Sequence, residues 1–170
     1  MNKSPSKWLK YCINNLSCNK GNALDLACGK GRNSNYLAGK GYTVISVDNN
    51  PENLGYISGP NITKIEKDVE IKANWPLTKH KFDLIVVSNF LCRKIFPNIM
   101  NSISKKGYLI YDTFSAGHEK IGRPKNKKFI LKSKELLKLC KSMSLIFYEE
   151  VSVICLEKKY IKQRIFCKNV

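Results

Sequence analysis

Residues 25–37, DLACGKGRNSNYL, combine two glycines, a carboxylate and several polar side chains directly after an apolar run. Gly29 and Gly31 allow the backbone to approach a ligand closely, because glycine lacks a side chain and adopts conformations that other residues avoid. Asn33 or Ser34 is placed to cap a following helix, and the N-terminus of a helix attracts anionic groups. The spacing therefore predicts a ligand-binding turn between a strand and a helix.

A second carboxylate, Asp48, stands at the end of the next apolar run. In an open parallel sheet this position lies beside the glycine-rich turn, and a carboxylate there accepts hydrogen bonds from a ribose diol. The two features together indicate a nucleoside-bearing cofactor. A dinucleotide fits less well, because Ser34 stands where the dinucleotide fingerprint has its third glycine.

The elements that must position these residues alternate along the chain. Strand patterns occur at 23–28, 43–47, 62–65, 82–88, 108–114, 145–154 and 161–167. Helical patterns occur at 7–16, 33–38, 51–57 (opened by Asn50), 95–104 and 133–143 (capped by Ser133). Alternation through the first five strands predicts a parallel sheet with right-handed crossovers, and the last two strands, which have no helix between them, predict an antiparallel hairpin at one edge. The 170 residues fit one domain, with an N-terminal helical segment at 1–20 and a core at 21–170.

The glycine-rich turn resembles the first motif of the class I S-adenosylmethionine (SAM) dependent methyltransferases, acid-x-G-x-G-x-G. Here the motif positions are Asp25, Ala27 in place of the first glycine, Gly29 and Gly31. The continuation GRNS, with YL and GY further on, resembles the tellurite-resistance, TehB-like branch of that superfamily. The resemblance covers essentially the whole chain. It implies an α/β fold with a Rossmann-like, doubly wound, seven-stranded and mostly parallel sheet, and a methyltransferase that uses S-adenosyl-L-methionine.

The resemblance also implies roles for individual residues. Asp25 and the backbone of residues 29–31 would hold the amino and carboxylate groups of the methionine part. Asp48 would bind the ribose hydroxyls, and Asp68 would reach the adenine amino group. The complete expected cofactor-binding set is Asp25, Ala27, Cys28, Gly29, Gly31, Arg32, Asn33, Asp48, Asn49, Asp68, Val69, Ser88 and Asn89. From the residues alone, simpler interpretations stay open, namely a buried acid for Asp25, a turn residue for Asp48 and a helix cap for Asp68.

The methyl acceptor is expected near the stretch 115–132, SAGHEKIGRPKNKKFILK, which is longer than a typical strand-to-helix connection. His118 could accept a proton near neutral pH, and Arg123 could orient an anionic group. Arg93, after the fourth strand, is a further candidate, and no catalytic residue is assigned. The alternatives are an exposed loop histidine for His118 and a loop-anchoring ion pair for Arg123.

The net charge of +17 rests on 26 lysines and only 4 arginines. Such a charge suggests nucleic acid, but we favour a codon bias toward lysine, asparagine and isoleucine, because a phosphate-binding surface usually recruits arginine. Since the chain is little more than the core fold, we expect a small-molecule acceptor, with an RNA methyltransferase or a noncatalytic SAM-binding protein as alternatives. No run of about 18 apolar residues occurs, so we expect no membrane span. We further expect a cytoplasmic protein, a monomer or weak dimer, and no metal, because the chain has only two histidines and no acidic cluster beside them.

Overall fold

A single sheet carries the fold. Its strands are β1 (Asn22–Leu26), β2 (Thr43–Asp48), β3 (Ile62–Glu66), β4 (Phe82–Ser88), β5 (Ile103–Phe114), β6 (Ser144–Cys155) and β7 (Lys158–Lys168). The computed structural model describes residues 4–16, 21–71, 75–155 and 158–170. Within them the strand order is β3-β2-β1-β4-β5-β7-β6. The first five strands are parallel, and β7 runs antiparallel between β5 and β6. The predicted fold class is confirmed.

Helices cover both faces of the sheet. They are α1 (Lys7–Asn14), α2 (Arg32–Gly39), α3 (Pro51–Gly55), α4 (Phe96–Asn101) and α5 (Glu135–Leu139). On one face, α1 and α2 bury Leu9 and Leu37 against β1, β2 and β4. On the other face, α4 and α5 bury Ile99 and Leu136 against the alternate side chains of the same sheet. This two-sided burial explains why the central strands are apolar nearly throughout. No helix in the described part of the chain is long and apolar enough to span a membrane.

The helix starts differ from the predictions. Gly31, in the left-handed conformation, precedes α2, and neither Asn33 nor Ser34 caps it. The Asn33 carboxamide oxygen instead accepts a hydrogen bond from the Ser6 backbone, and the Ser34 hydroxyl donates to Asp25. Both side chains fix the turn to its surroundings rather than to its own helix.

The two C-terminal helical patterns were predicted too long. The fifth strand begins at Ile103, so the helix predicted at 95–104 ends at Asn101. The helix predicted at 133–143 is the short α5, and Ser133 does not cap it because its hydroxyl bonds to Glu150 on β6. In contrast, Asn50 caps α3 as predicted. Positions 1–3 and 17–20 of the predicted N-terminal helical segment lie outside the described residues.

Candidate cofactor cavity and the loop beside it

A cavity of about 290 Å³ opens at the carboxyl ends of the parallel strands. Ala27 lines it after β1, residues 47–49 line it at the end of β2, and residues 67–70 line it after β3. Two aromatic side chains complete the wall, Phe90 after β4 and Phe129 from the loop that follows β5. The switch in strand order at β1 places the cavity where open α/β sheets bind their ligands.

Five residues of the expected cofactor-binding set lie together in this wall: Ala27, Asp48, Asn49, Asp68 and Val69. They come from three separate turns that the parallel order brings side by side. The wall is thus mixed, with carboxylates near the ends of β2 and β3 and apolar surface opposite. Such a combination suits a ligand that has a flat apolar part and a polar, hydroxylated part.

The Asp48 carboxylate fixes the glycine-rich turn. One of its oxygens accepts a hydrogen bond from the Gly29 backbone N–H at 2.8 Å, and the other accepts from the Asn50 N–H at 3.0 Å. A carboxylate oxygen has a second lone pair, so both oxygens can still accept a bond from a ligand. Asp48 therefore joins the turn and the cavity wall in one side chain.

The turn itself depends on left-handed backbone conformations. Gly29 and Gly31 have φ values of 54° and 72°, and Ala27 has 53°. A Cβ atom at Gly31 would lie 2.3 Å from the Ile57 side chain, so the position accepts only glycine. Ala27 occupies the place of the first glycine of the motif and takes a conformation that disfavours a side chain.

Asp25 lies beneath the turn and not in the cavity wall, since it is only 1 % exposed. The Ser34 hydroxyl donates to its carboxylate at 2.6 Å, and the Ser46 hydroxyl in turn donates to Ser34 at 2.8 Å. Burial raises the pKa of Asp25 to about 6, and the hydrogen bonds from Ser34 oppose that rise. Its contacts are those of a buried acid that supports the loop.

The rest of the turn is also outside the lining of the cavity. Cys28 is buried, which raises the pKa of its thiol well above the ordinary value and keeps it protonated. Arg32 is half-buried, and the Asn33 side chain faces Ser6. Thus the structure does not bring Cys28, Gly29, Gly31, Arg32 or Asn33 to the cavity wall, although Gly29 touches it through Asp48.

Ser88 is the last residue of β4 and Asn89 follows it; neither lines the cavity, and both bond to a buried ion pair. The Ser88 hydroxyl donates to Asp112 on β5 at 2.6 Å. Asn89 is exposed, has a φ of 58°, and its carboxamide oxygen accepts a bond from the Lys162 ammonium of β7. Asp112 and Lys162 form a salt bridge of 2.6 Å. Neither Asp112 nor Lys162 was singled out from the sequence, because no motif marks either position.

The 115–132 loop is a folded structure fixed at its base. Ser115 forms a parallel bridge with Leu131, and the Gln163 side chain bonds to Ser115 and to the Lys132 backbone. Arg93 clamps its far end, donating to the Lys128 and Ile130 carbonyls at 2.8 and 2.9 Å. The same guanidinium pairs with Glu135 through two bonds. Arg93 is thus committed to the loop, which differs from its expected place among the acceptor-site candidates.

His118 is fully buried, so the alternative interpretation of it as an exposed loop histidine is wrong. Its Nδ1 accepts a bond from the Ile161 backbone N–H, which leaves Nε2 to donate to the Arg123 carbonyl at 2.8 Å. The ring also stacks on Phe114 and on Tyr160, which are in contact with each other. With both nitrogens engaged, His118 anchors the loop to β7 and is not available in this arrangement to accept a substrate proton.

Arg123 is an exposed residue of the loop. Its guanidinium makes no hydrogen bond or ion pair with the part of the chain that the structure describes, so the loop-anchoring ion pair considered for it is wrong. Arg93 has that role instead. Sequence reasoning also missed Phe90, which directly follows Asn89, and Phe129 of the 115–132 stretch, because nothing in their spacing shows which side chain turns toward the cavity.

The sequence of this chain is similar to known proteins of one family. The family model "Tellurite resistance protein TehB" matches residues 12–159. The "Probable S-adenosyl-L-methionine-dependent methyltransferase TehB" of Haemophilus influenzae is 34 % identical over 90 residues, which are 48 % of this chain and 30 % of that protein. The chain therefore matches less than a third of the length of that curated relative.

Solved structures share the fold at low identity. The crystal structure of TehB from Haemophilus influenzae superposes with a TM-score of 0.73 at 20 % identity, covering 96 % of this chain and 61 % of that one. Coclaurine N-methyltransferase, solved with N-methylheliamine and S-adenosylhomocysteine (SAH), gives a TM-score of 0.69 at 14 % identity, covering 95 % and 71 %. Since the family model spans most of the residues, from before β1 into the β6–β7 hairpin, the chain belongs to the TehB family.

Proposed function

We propose that this protein binds S-adenosyl-L-methionine in the cavity and transfers its methyl group to a small-molecule acceptor. The observation that carries the proposal is the position of Asp48. Its carboxylate lies in the mixed polar and apolar wall of the cavity and also accepts a hydrogen bond from the Gly29 N–H of the glycine-rich turn. The name of the Haemophilus relative supports the same cofactor.

The cavity fits the nucleoside part of this cofactor. Its volume of about 290 Å³ is near the lower end of small-molecule sites, which suits an adenosine group. Val69, Phe90 and Phe129 offer apolar surface to the base, and Asp48 offers two acceptor oxygens to the ribose hydroxyls. Asn49 and Asp68 place polar groups where the edge of the base would lie.

The methionine part would extend over the glycine-rich turn toward β4. The left-handed conformations of Gly29 and Gly31 leave the backbone of this turn free of side chains at these two positions. Because Asp25 is buried, we assign it the role of holding the turn through Ser34 and not that of a direct ligand. Ser88 and Asn89 then stand beside the transferred methyl group.

Methyl transfer asks little of the protein side chains. Bound SAM supplies a methyl group already activated by the sulfonium, so orienting an acceptor atom in line at about 3 to 3.5 Å provides most of the acceleration. The 115–132 loop, with the exposed Arg123, borders the route to this point, and Phe129 of the same loop lines the cavity. Arg123 therefore remains our candidate for acceptor positioning.

Two further observations bear on the setting. Coclaurine N-methyltransferase, which shares the fold, was solved with the small molecule N-methylheliamine, and this favours a small acceptor here.

The cysteines in the described part of the chain are free thiols: Cys12, Cys28, Cys92, Cys140 and Cys167. Free thiols are typical of the reducing cytoplasm, where we propose that the protein acts.

Calorimetric titration with SAM tests the proposal. Asp48→Asn removes the charge and keeps the shape, so we expect SAM binding to weaken about 10- to 100-fold, the usual effect of losing charged hydrogen bonds. Asp83→Asn is the matched control, since the Asp83 carboxylate also accepts a backbone N–H, that of Asn22, but at the opposite edge of the sheet. Wild-type affinity in a folded Asp48→Asn variant contradicts the assignment.

A further inference from the structure

A buried ion pair lies at the carboxyl edge of the sheet. Asp112 of β5 is 2 % exposed and Lys162 of β7 is 9 % exposed, and their charged atoms are 2.6 Å apart. Replacing such a pair by apolar side chains is often neutral or stabilising, because burying two charges costs desolvation energy. Stability alone therefore does not explain why two charges occupy this position.

The pair extends toward the cavity through two hydrogen bonds. The second oxygen of Asp112 accepts from the Ser88 hydroxyl at 2.6 Å, and the Lys162 ammonium also donates to the Asn89 carboxamide oxygen. Because an ammonium only donates, the orientation of the Asn89 carboxamide is fixed, with its NH₂ group directed away from Lys162. Asp112, Lys162, Ser88 and Asn89 form one connected cluster.

In the strand order the cluster lies on the other side of β1 from Asp48, on β4, β5 and β7, and it adjoins the cavity through Phe90. Asn89 directly precedes Phe90, which lines the cavity, and β4 is the neighbour of β1, whose following residue Ala27 also lines it. If the nucleoside lies near β2 and β3, the sulfur end of the cofactor points toward this cluster. This last step rests on the proposed function.

The sulfur atom is the one place where the charge of the cofactor changes during the reaction. The acceptor lone pair forms the new bond to the methyl carbon, the electrons of the S–C bond stay on sulfur, and the sulfonium becomes a neutral thioether. A lone carboxylate beside the sulfur would favour the charged reactant, and a lone ammonium would disfavour it. A close ion pair holds both effects near balance.

We infer that the Asp112–Lys162 pair sets the relative affinity of this site for SAM and SAH. Asp112 favours the charged ligand, Lys162 offsets it, and Asn89 holds the ammonium at the wall of the site. The two ligands differ by one methyl group and one charge, so the ratio of their affinities isolates the electrostatic effect from all contacts that they share.

The test is separate calorimetric titration of SAM and SAH into wild-type protein and three charge variants. Asn89→Asp and Lys162→Met each add one unit of negative charge to the cluster, and we expect them to raise the SAM-to-SAH affinity ratio about three- to tenfold. Asp112→Asn leaves Lys162 unbalanced and lowers the ratio by a similar factor. Asn89 is exposed, so Asn89→Asp keeps the test informative even if a variant of the buried pair does not fold.

Asn101→Asp is the control for net charge, because Asn101 is an exposed residue at the end of α4. An unchanged ratio in Asn89→Asp, or an equal change in Asn101→Asp, overturns the inference and leaves the proposed function intact. Wild-type protein that binds neither ligand overturns both. Opposite shifts in Asn89→Asp and Asp112→Asn support the inference, since a merely structural role would not reverse sign.

Discussion

Ala27 carries backbone strain at the centre of the proposed site. Its φ of 53° is a conformation that costs a residue with a Cβ about 1 kcal/mol, whereas glycine adopts it freely. We predict that Ala27→Gly raises the free energy of unfolding by about 0.5 to 1 kcal/mol, measured by urea denaturation. Ala38→Gly, the same change inside α2, is the control and should lower it by about 1 kcal/mol. Destabilisation by both substitutions would show that Ala27 is not strained.

Asp25 makes the stability of the protein depend on pH. Because burial raises the pKa of Asp25 from 3.8 to about 6 in the folded state, the folded chain binds this proton more tightly than the unfolded chain. The contribution of Asp25 is therefore most favourable below pH 4 and is lost as the pH rises to about 6, by up to about 3 kcal/mol. Asp25→Asn has no such titration.

The measurement is the difference in unfolding free energy between Asp25→Asn and wild type, without cofactor, from pH 4 to pH 7. As the pH rises through this interval, we expect the free energy of unfolding of Asp25→Asn to increase relative to that of the wild type. A constant difference would show that Asp25 titrates with an ordinary pKa.

Sequence reasoning reached the residues whose role follows from strand ends. Asp48 was predicted because it stands at the end of a strand, and in a parallel sheet such ends meet at one edge. Asp68 was implied by the family resemblance, and both residues line the cavity. Lys162 was missed because its side chain reaches this edge from an antiparallel strand, where no motif marks it. His118 was given an accessible role, since burial of a loop histidine depends on tertiary contacts that spacing does not show.

At the scale of elements, Arg93 holds the 115–132 loop over the cavity. Its guanidinium donates to the carbonyls of Lys128 and Ile130 and pairs with Glu135. Phe129, which lines the cavity, is the residue between those two loop positions. We predict that Arg93→Met increases amide hydrogen exchange in the loop about tenfold and weakens SAM binding, because charged hydrogen bonds of this kind contribute about 1.5 kcal/mol or more each.

Arg123→Met is the matched control, because it removes an equal charge, here from the loop itself, without removing a bond within the described part of the chain. Its hydrogen exchange and SAM affinity should stay near wild type, whereas methyl transfer should fall if Arg123 positions the acceptor. Equal exchange in the two variants would show that Arg93 does not hold the loop.

The predicted boundaries of helices and strands matched the structure where the local sequence pattern was strong. The span 82–88 was predicted without error, because its centre, residues 84–87, is apolar and buried on both faces of the sheet. The start of β5 was missed, since its first residues, ISKKG, include two exposed lysines and read equally as a helix end. The cap of α5 was missed because Ser133 bonds to a neighbouring strand instead.

At the scale of the whole molecule, the net charge of +17 comes mainly from 26 lysines. The stretch 115–141 alone contains nine basic residues and only two glutamates. We predict nonspecific RNA binding that is measurable at low ionic strength and is largely lost at about 150 mM salt, as expected for counterion release. Filter binding across a salt series measures it. Transfer of labelled methyl from SAM to one discrete RNA species at the higher salt would contradict the small-molecule proposal.

The central claim is that the cavity between β2, β3 and β4 holds the nucleoside of SAM. A crystal structure of the protein with SAH tests it most directly. We predict the adenine against Val69, Phe90 and Phe129, the ribose hydroxyls donating to Asp48, and the sulfur on the Asn89 side. SAH bound elsewhere on the chain, or an Asp48 carboxylate that makes no contact with the ribose, would contradict the account.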